Sequence, residues 1–125
     1  MPTHNTALLR NAQVDAYTTQ LGSACKLLIM DGTQPAAGGA ATNILATFTC
    51  GTPFAPASSG GVLSPNLPAS VTGAIAGTAT WYRLQTSAGV WVRDSVISDL
   101  GLSTNVISVG LTLSVNSWTI TAANA

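Results

Sequence analysis

The stretch TATWYRLQTSAGVWVRDSV, Thr78–Val96, decides the fold. Aromatic and β-branched residues fill TATWYRLQ (Thr78–Gln85) and VWVRDSV (Val90–Val96), the composition of strands. Thr86-Ser87-Ala88-Gly89 between them is small, polar and ends in glycine, so the whole predicts a β-hairpin. Alternation places Trp81 with Arg83 on one face of the first strand, and Trp91 with Arg93 on one face of the second. Asp94 falls across the hairpin from Arg83, and a structural ion pair is expected there.

Towards the N-terminus lie two further strands, CKLLIM (Cys25–Met30) and ILATFTC (Ile44–Cys50). Ile44, Ala46, Phe48 and Cys50 alternate onto one face, with Leu45, Thr47 and Thr49 on the other. Antiparallel pairing with Cys25 opposite Cys50 sets Leu27 against Phe48 and Ile29 against Ala46. All three pairs are apolar and share a face, so this register is self-consistent. It sets two thiols side by side, expected to stay buried and reduced in a cytoplasm. The segment between the strands, Thr33–Asn43, is rich in Gly, Ala, Thr and Pro and is expected as a loop.

The chain before Cys25 has helical spacing. Asn5 is the expected cap, Leu21 the last helical residue and Gly22 the stop. Arg10, Val14, Tyr17 and Leu21 form one stripe, and Leu8, Ala12 and Ala16 a second. Beyond the hairpin, Asp99–Ser103 is expected as a loop, Val106–Val109 as a strand and Leu111–Thr121 as the last strand. In that last strand Leu111, Leu113 and Val115 alternate, whereas Trp118 and Ile120 are out of phase. A bulge at Asn116-Ser117 would restore the face. Short strands near Val62-Leu63 and Val71–Ile75 bring the total to seven to nine. The fold class is mainly β: one domain over 1–125, with an N-terminal helix over 5–21 and a β-sandwich or jelly roll over 25–121.

Composition narrows the function. Among 125 residues only 6% are charged, against about 25% in ordinary soluble proteins, and the formal net charge is zero. Four basic residues, Arg10, Lys26, Arg83 and Arg93, are too few for a nucleic-acid surface. No apolar run reaches the length of a membrane-spanning helix, and the first residues do not have the pattern of a secretory signal. A free monomer keeps soluble with a mixed charged surface. A chain with so little charge is expected to cover much of its surface with copies of itself or with another protein.

The residues for catalysis are scarce. His4 is the one histidine, placed before the helix, and no G-x-S-x-G turn occurs, which argues against a serine or cysteine hydrolase. Glutamate is absent, leaving Asp15, Asp31, Asp94 and Asp99. Asp94 and Asp99 with backbone carbonyls could at most form a weak calcium site. Gly38-Gly39 and Gly60-Gly61 lack the lysine of a phosphate loop. Two cysteines and one histidine do not form a zinc site. The chain is read as non-enzymatic, without cofactor or metal. Trp81, Trp91 and Trp118 are expected in the core or at a subunit interface, with a sugar-stacking platform as the alternative.

Four segments stand in a telling order: KLLIMDGTQPA, SSGGVLSPN, GTATWYRLQTSAG and the ending SWTITAANA. In this order and composition the chain resembles a group of small virion structural proteins of tailed bacteriophages and prophages. The resemblance implies a capsid decoration, or cement, protein. Its partners would be the major capsid protein and itself, as a homotrimer, on the capsid exterior after assembly in the bacterial cytoplasm. On that reading the N-terminal segment, with Leu8 and Tyr17, and the Thr33–Asn43 loop, with Gln34 and Pro35, are the expected contact parts. Trp91 and Trp118 are the expected interface anchors. Any Cys25–Cys50 bond in the virion would form after release from the cell. A head–tail connector or tail-tip piece, or a carbohydrate-binding attachment module, are the alternatives.

Overall fold

A computed structural model describes residues 6–36 and 39–121. Helix α1 (Ala7–Leu21) is followed by β1 (Lys26–Met30), β2 (Ile44–Thr49), β3 (Val62–Leu63), β4 (Val71–Thr72), β5 (Gly77–Thr78), β6 (Trp81–Gln85) and β7 (Trp91–Val96). A 3₁₀ turn (Ile97–Asp99) then leads to β8 (Leu100–Leu102), β9 (Val106–Ile107), β10 (Thr112–Leu113), β11 (Val115–Trp118) and β12 (Ile120–Thr121). The chain is mainly β with one N-terminal helix. One layer is a four-stranded antiparallel sheet in the order β2-β1-β6-β7. The other is built from two-stranded ladders, β10-β4, β11-β8, β12-β3 and β5-β9. The strands outnumber the expected seven to nine because this part of the chain breaks into short two-stranded ladders, most of their strands two residues long. The expected loop at Asp99–Ser103 in fact contains β8, and Thr78 belongs to the separate β5 rather than to the hairpin.

The β1–β2 register is the one the apolar pairs dictate: Leu27 faces Phe48, Ile29 faces Ala46, and the Cys50 N–H donates to the Cys25 carbonyl at 2.8 Å. Beyond Ile29 the ladder slips, Met30 pairing with Ile44 and leaving Leu45 as a bulge. The slip corrects the expected facing: Leu45 is wholly buried and Ile44 is exposed. A second slip on β7 pairs Gln85 with Trp91 and Leu84 with Arg93, so Val92 is extra. Trp91 and Arg93 therefore lie on opposite faces of the sheet, not on one as alternation alone implies. The slip expected at Asn116-Ser117 is present between Val115 and Trp118, and both of these residues are buried.

The inner face of the large sheet (Leu27, Ile29, Phe48, Tyr82, Leu84) meets Phe54, Leu63, Leu100, Leu113, Val115 and Ile120 in one core, to which α1 adds Val14 and Leu21. Trp118 stands at its centre, edge-on to Phe54 at 5.3 Å and to Tyr82 at 5.9 Å between ring centroids. The helix is capped by Thr6 instead of Asn5, which lies outside the described residues. The Thr6 hydroxyl accepts from the Leu9 N–H at 3.2 Å. Gly22, at φ 65°, ends the helix and donates to the Thr18 carbonyl. The helix docks as much by polar contacts as by apolar ones. Asn11 accepts from the Gly61 N–H at 2.7 Å, and Asp15 accepts from the Ser58 N–H at 2.9 Å.

The outer face of the sheet carries a small second core, Leu28, Met30 and Trp81. Residues 31–36 and 39–43 fold back over it. The Trp81 indole donates to the Asp31 carbonyl at 2.9 Å, Thr80 donates to the Gly32 carbonyl at 2.6 Å, and Arg83 donates to the Gly39 carbonyl at 2.6 Å. The Asp31 carboxylate closes the loop by accepting from the backbone and side-chain amides of Asn43, each at 3.1 Å.

Candidate functional site

Every one of the eight charged residues, four Lys/Arg and four Asp, makes a contact inside the chain. Arg83 Nε meets Asp94 Oδ1 at 2.8 Å and a second prong joins its terminal nitrogen to Asp94 Oδ2 at 3.0 Å. Arg93 reaches Asp99 at 3.4 Å. Asp15 and Asp31 accept the amides described above, Lys26 donates to the Thr49 hydroxyl at 2.8 Å, and Arg10 reaches the Gly60 carbonyl at 3.5 Å. Four of these charges cancel in the two Arg–Asp pairs, and the other four are held by neutral groups. Asp94 and Asp99 go to different arginines, so they form no shared calcium site. No cluster of three His, Cys, Asp or Glu occurs among the described residues.

The densest polar constellation lies where α1 crosses β7. Arg93 donates to the hydroxyls of Tyr17 at 2.9 Å and Tyr82 at 3.1 Å, and its guanidinium lies over the Tyr17 ring at 5.5 Å. The Asp99 carboxylate collects Arg93, Tyr82 at 3.3 Å and Ser95 at 2.5 Å. Burial pushes the Tyr82 phenol above its ordinary value, against the opposing pull of Arg93. Burial opposes the charge on Arg93, but the two tyrosine hydroxyls outweigh it and hold Arg93 firmly protonated. Through Arg93 and Tyr17 the network joins the helix to the sheet. A cleft of about 250 Å³ beside it is lined by Gln13, Ala16, Tyr17, Gln20 and Val92, with Tyr17 as its one titratable side chain.

The expected contact residues are placed as follows. Leu8 is 81% exposed, and the Leu8, Ala12 and Ala16 stripe faces away from the core. Tyr17 is half-buried under Arg93. Gln34 is exposed and Pro35 half-buried in the loop that roofs the outer sheet face. Trp91 is 41% exposed on β7, the free edge of the four-stranded sheet. Trp118 is a correction: only 4% exposed, it is the centre of the core and not an interface anchor. Trp81 is buried as well, so a platform of several exposed indoles does not exist. Cys25 and Cys50 are both buried and free.

Two exposed apolar groups were not singled out by the sequence. Val90 and Val96 lie at the two ends of β7, with Trp91 beside Val90, so the free edge carries three large apolar side chains. Val106, Val109 and Leu111 are exposed along the turn from β9 to β10, where Gly110 at φ 82° permits the reversal. The signal for this second group was present in VISVGL, apolar residues on both sides of a glycine turn. No protein-family model, curated protein or solved structure matches this chain.

Proposed function

We propose that the chain is a non-enzymatic structural protein of a phage virion, a decoration or cement protein that binds the major capsid protein lattice on the capsid exterior. One observation carries the reading. All eight charged residues are engaged within the fold, while Leu8, Val90, Trp91, Val96, Val106 and Val109 are each at least 41% exposed. An uncharged Thr-, Ser- and Gly-rich surface studded with large apolar side chains suits permanent contact better than free diffusion. Among the described residues β7 is an edge strand, with exposed Val90, Trp91 and Val96 along it, and edge strands are where sheets extend into neighbours. As the resemblance implies, the chain self-associates as a homotrimer and touches the lattice through the helix and the Gln34-Pro35 sector of the roofing loop. The resemblance to small phage virion proteins supplies the setting.

A ring component at the head–tail junction would use the same surface and differs in copy number. The carbohydrate-binding alternative loses its main support, because two of its three tryptophans are buried. The test is reconstitution. Purified chain is added to capsids lacking it, and bound copies and capsid melting temperature are measured. Saturable binding with a raised melting temperature is the expected result. Absence of binding by a folded chain overturns the lattice reading.

A further inference from the structure

We propose that Cys25 and Cys50 are a built-in thiol pair that closes to an intramolecular disulfide when a small-molecule disulfide is the oxidant, stapling the open end of the β1–β2 ladder. The proposal does not rest on the assembly reading above. The two residues are opposed across antiparallel chains, joined by the Cys50 N–H to Cys25 carbonyl bond at 2.8 Å. The next pair along, Lys26 with Thr49, is in register. Opposed residues in an antiparallel ladder lie within the Cα separation a disulfide spans, so the staple needs no change of register.

The position also provides a route for the oxidant. Both thiols are buried, Cys25 fully and Cys50 to 4% exposure. They lie just outside β1 and β2, where a ladder frays first. The neighbouring chain is held lightly. Ala24, immediately before Cys25, sits at φ 53°, a conformation costly for a residue with a Cβ, and its N–H is held by the Thr52 hydroxyl at 3.2 Å. Opening this corner exposes both sulfurs without disturbing the Leu27–Phe48 and Ile29–Ala46 pairs behind it.

The two sulfurs share a side-chain hydrogen bond, which favours a thiolate on one of them against the opposing effect of burial. That thiolate attacks the small disulfide, displaces one small thiolate and forms a mixed disulfide. The other cysteine then loses its proton and attacks the protein sulfur of the mixed disulfide, releasing the second small thiolate. In sum, two protein thiols are oxidised to one disulfide and one small disulfide is reduced to two small thiols. The bond closes the loop formed by β1, the roofing segment and β2, and restricts the unfolded chain accordingly.

The experiment uses the full chain, reduced and then incubated with oxidised glutathione. Accessible and total thiols are titrated, the cross-linked peptides are mapped by mass spectrometry, and melting is followed with and without dithiothreitol. The expected result is loss of both thiols, a Cys25–Cys50 peptide, no covalent dimer, and a dithiothreitol-reversible rise in melting temperature on the order of 10 °C. The Cys50→Ser and Cys25→Ser variants should each stop at one glutathione trapped on the remaining cysteine. Because these variants perturb the core, the C25A/C50A double variant is the control: its melting temperature should be the same under both conditions. Persistence of both thiols in the wild-type chain, even in denaturant just below the unfolding midpoint, would overturn the proposal. So would exclusively intermolecular disulfides, or a bond that lowers the melting temperature.

Discussion

Arg83 and Asp94 face each other across β6 and β7 in a two-pronged ion pair, at 2.8 and 3.0 Å, with side chains only 10% and 3% exposed. The remaining reach of Arg83 goes to the Gly39 carbonyl of the roofing loop, and its guanidinium lies 5.3 Å from the Trp81 ring. One arginine thus joins the hairpin to the loop that covers it. Removing the carboxylate strands a buried cation. Asp94→Ala is expected to cost about 3–5 kcal/mol by urea unfolding, and to raise amide exchange between Asp31 and Asn43 before the rest of the chain.

Trp91 and Trp118 should separate cleanly. Trp118→Ala removes the ring that Phe54 and Tyr82 pack against edge-on and should cost about 3–5 kcal/mol. Trp91→Ala should cost the isolated chain much less than Trp118→Ala, about 1 kcal/mol, since Trp91 is 41% exposed at the sheet edge. It should instead weaken self-association, measured by sedimentation velocity across a concentration series. A Trp91 variant that associates normally would remove the β7 edge from the interface.

Alkaline pH should weaken the fold through Tyr82. Its phenol is raised above the ordinary value of 10.0, so the folded state keeps this proton longer than the unfolded state does. The stabilisation is complete below about pH 10 and is lost as pH rises through the folded-state value. Unfolding free energies measured from pH 8 to 11.5 should fall above pH 10. Tyr82→Phe should flatten that fall, at a cost of about 1–2 kcal/mol at neutral pH because Arg93 loses an acceptor.

Gly73 marks a close approach of two segments. A Cβ there would overlap the Ser108 carbonyl and stand 2.7 Å from Ile107 Cγ2. Gly73→Ala is expected to destabilise by about 1–3 kcal/mol and to loosen the β9–β10 turn that presents Val109, read by thermal melting and by exchange at Gly110.

Much of this architecture is written in local patterns, and the parts that are not have a common cause. The β1–β2 register is legible because three apolar pairs coincide only when Cys25 opposes Cys50. The slip at Asn116-Ser117 is legible because the apolar phase changes across it. The slip at Leu45 is silent because Ile44, Leu45 and Ala46 are all apolar, and that at Val92 because Val90, Trp91 and Val92 are an apolar run in which either phase looks right. Trp118 sits between the polar Ser117 and Thr119, a context equally suited to a core and to an interface. Its burial comes from Phe54 and Tyr82, distant in sequence. The helix packs with little amphipathic signal because Asn11 and Asp15 dock it through hydrogen bonds to the Ser58–Gly61 turn. The second layer is invisible to periodicity because most of its strands are two residues long. Arg93 is informative only once the fold brings Tyr17 and Tyr82 to it.

The central claim is that this chain is a lattice component, and copy number tests it most directly. In purified virions, its amount is measured against the major capsid protein by quantitative mass spectrometry with isotope-labelled peptides of both. The account predicts near parity, consistent with a protein that tiles the capsid exterior. A handful of copies per particle, or none, would contradict it.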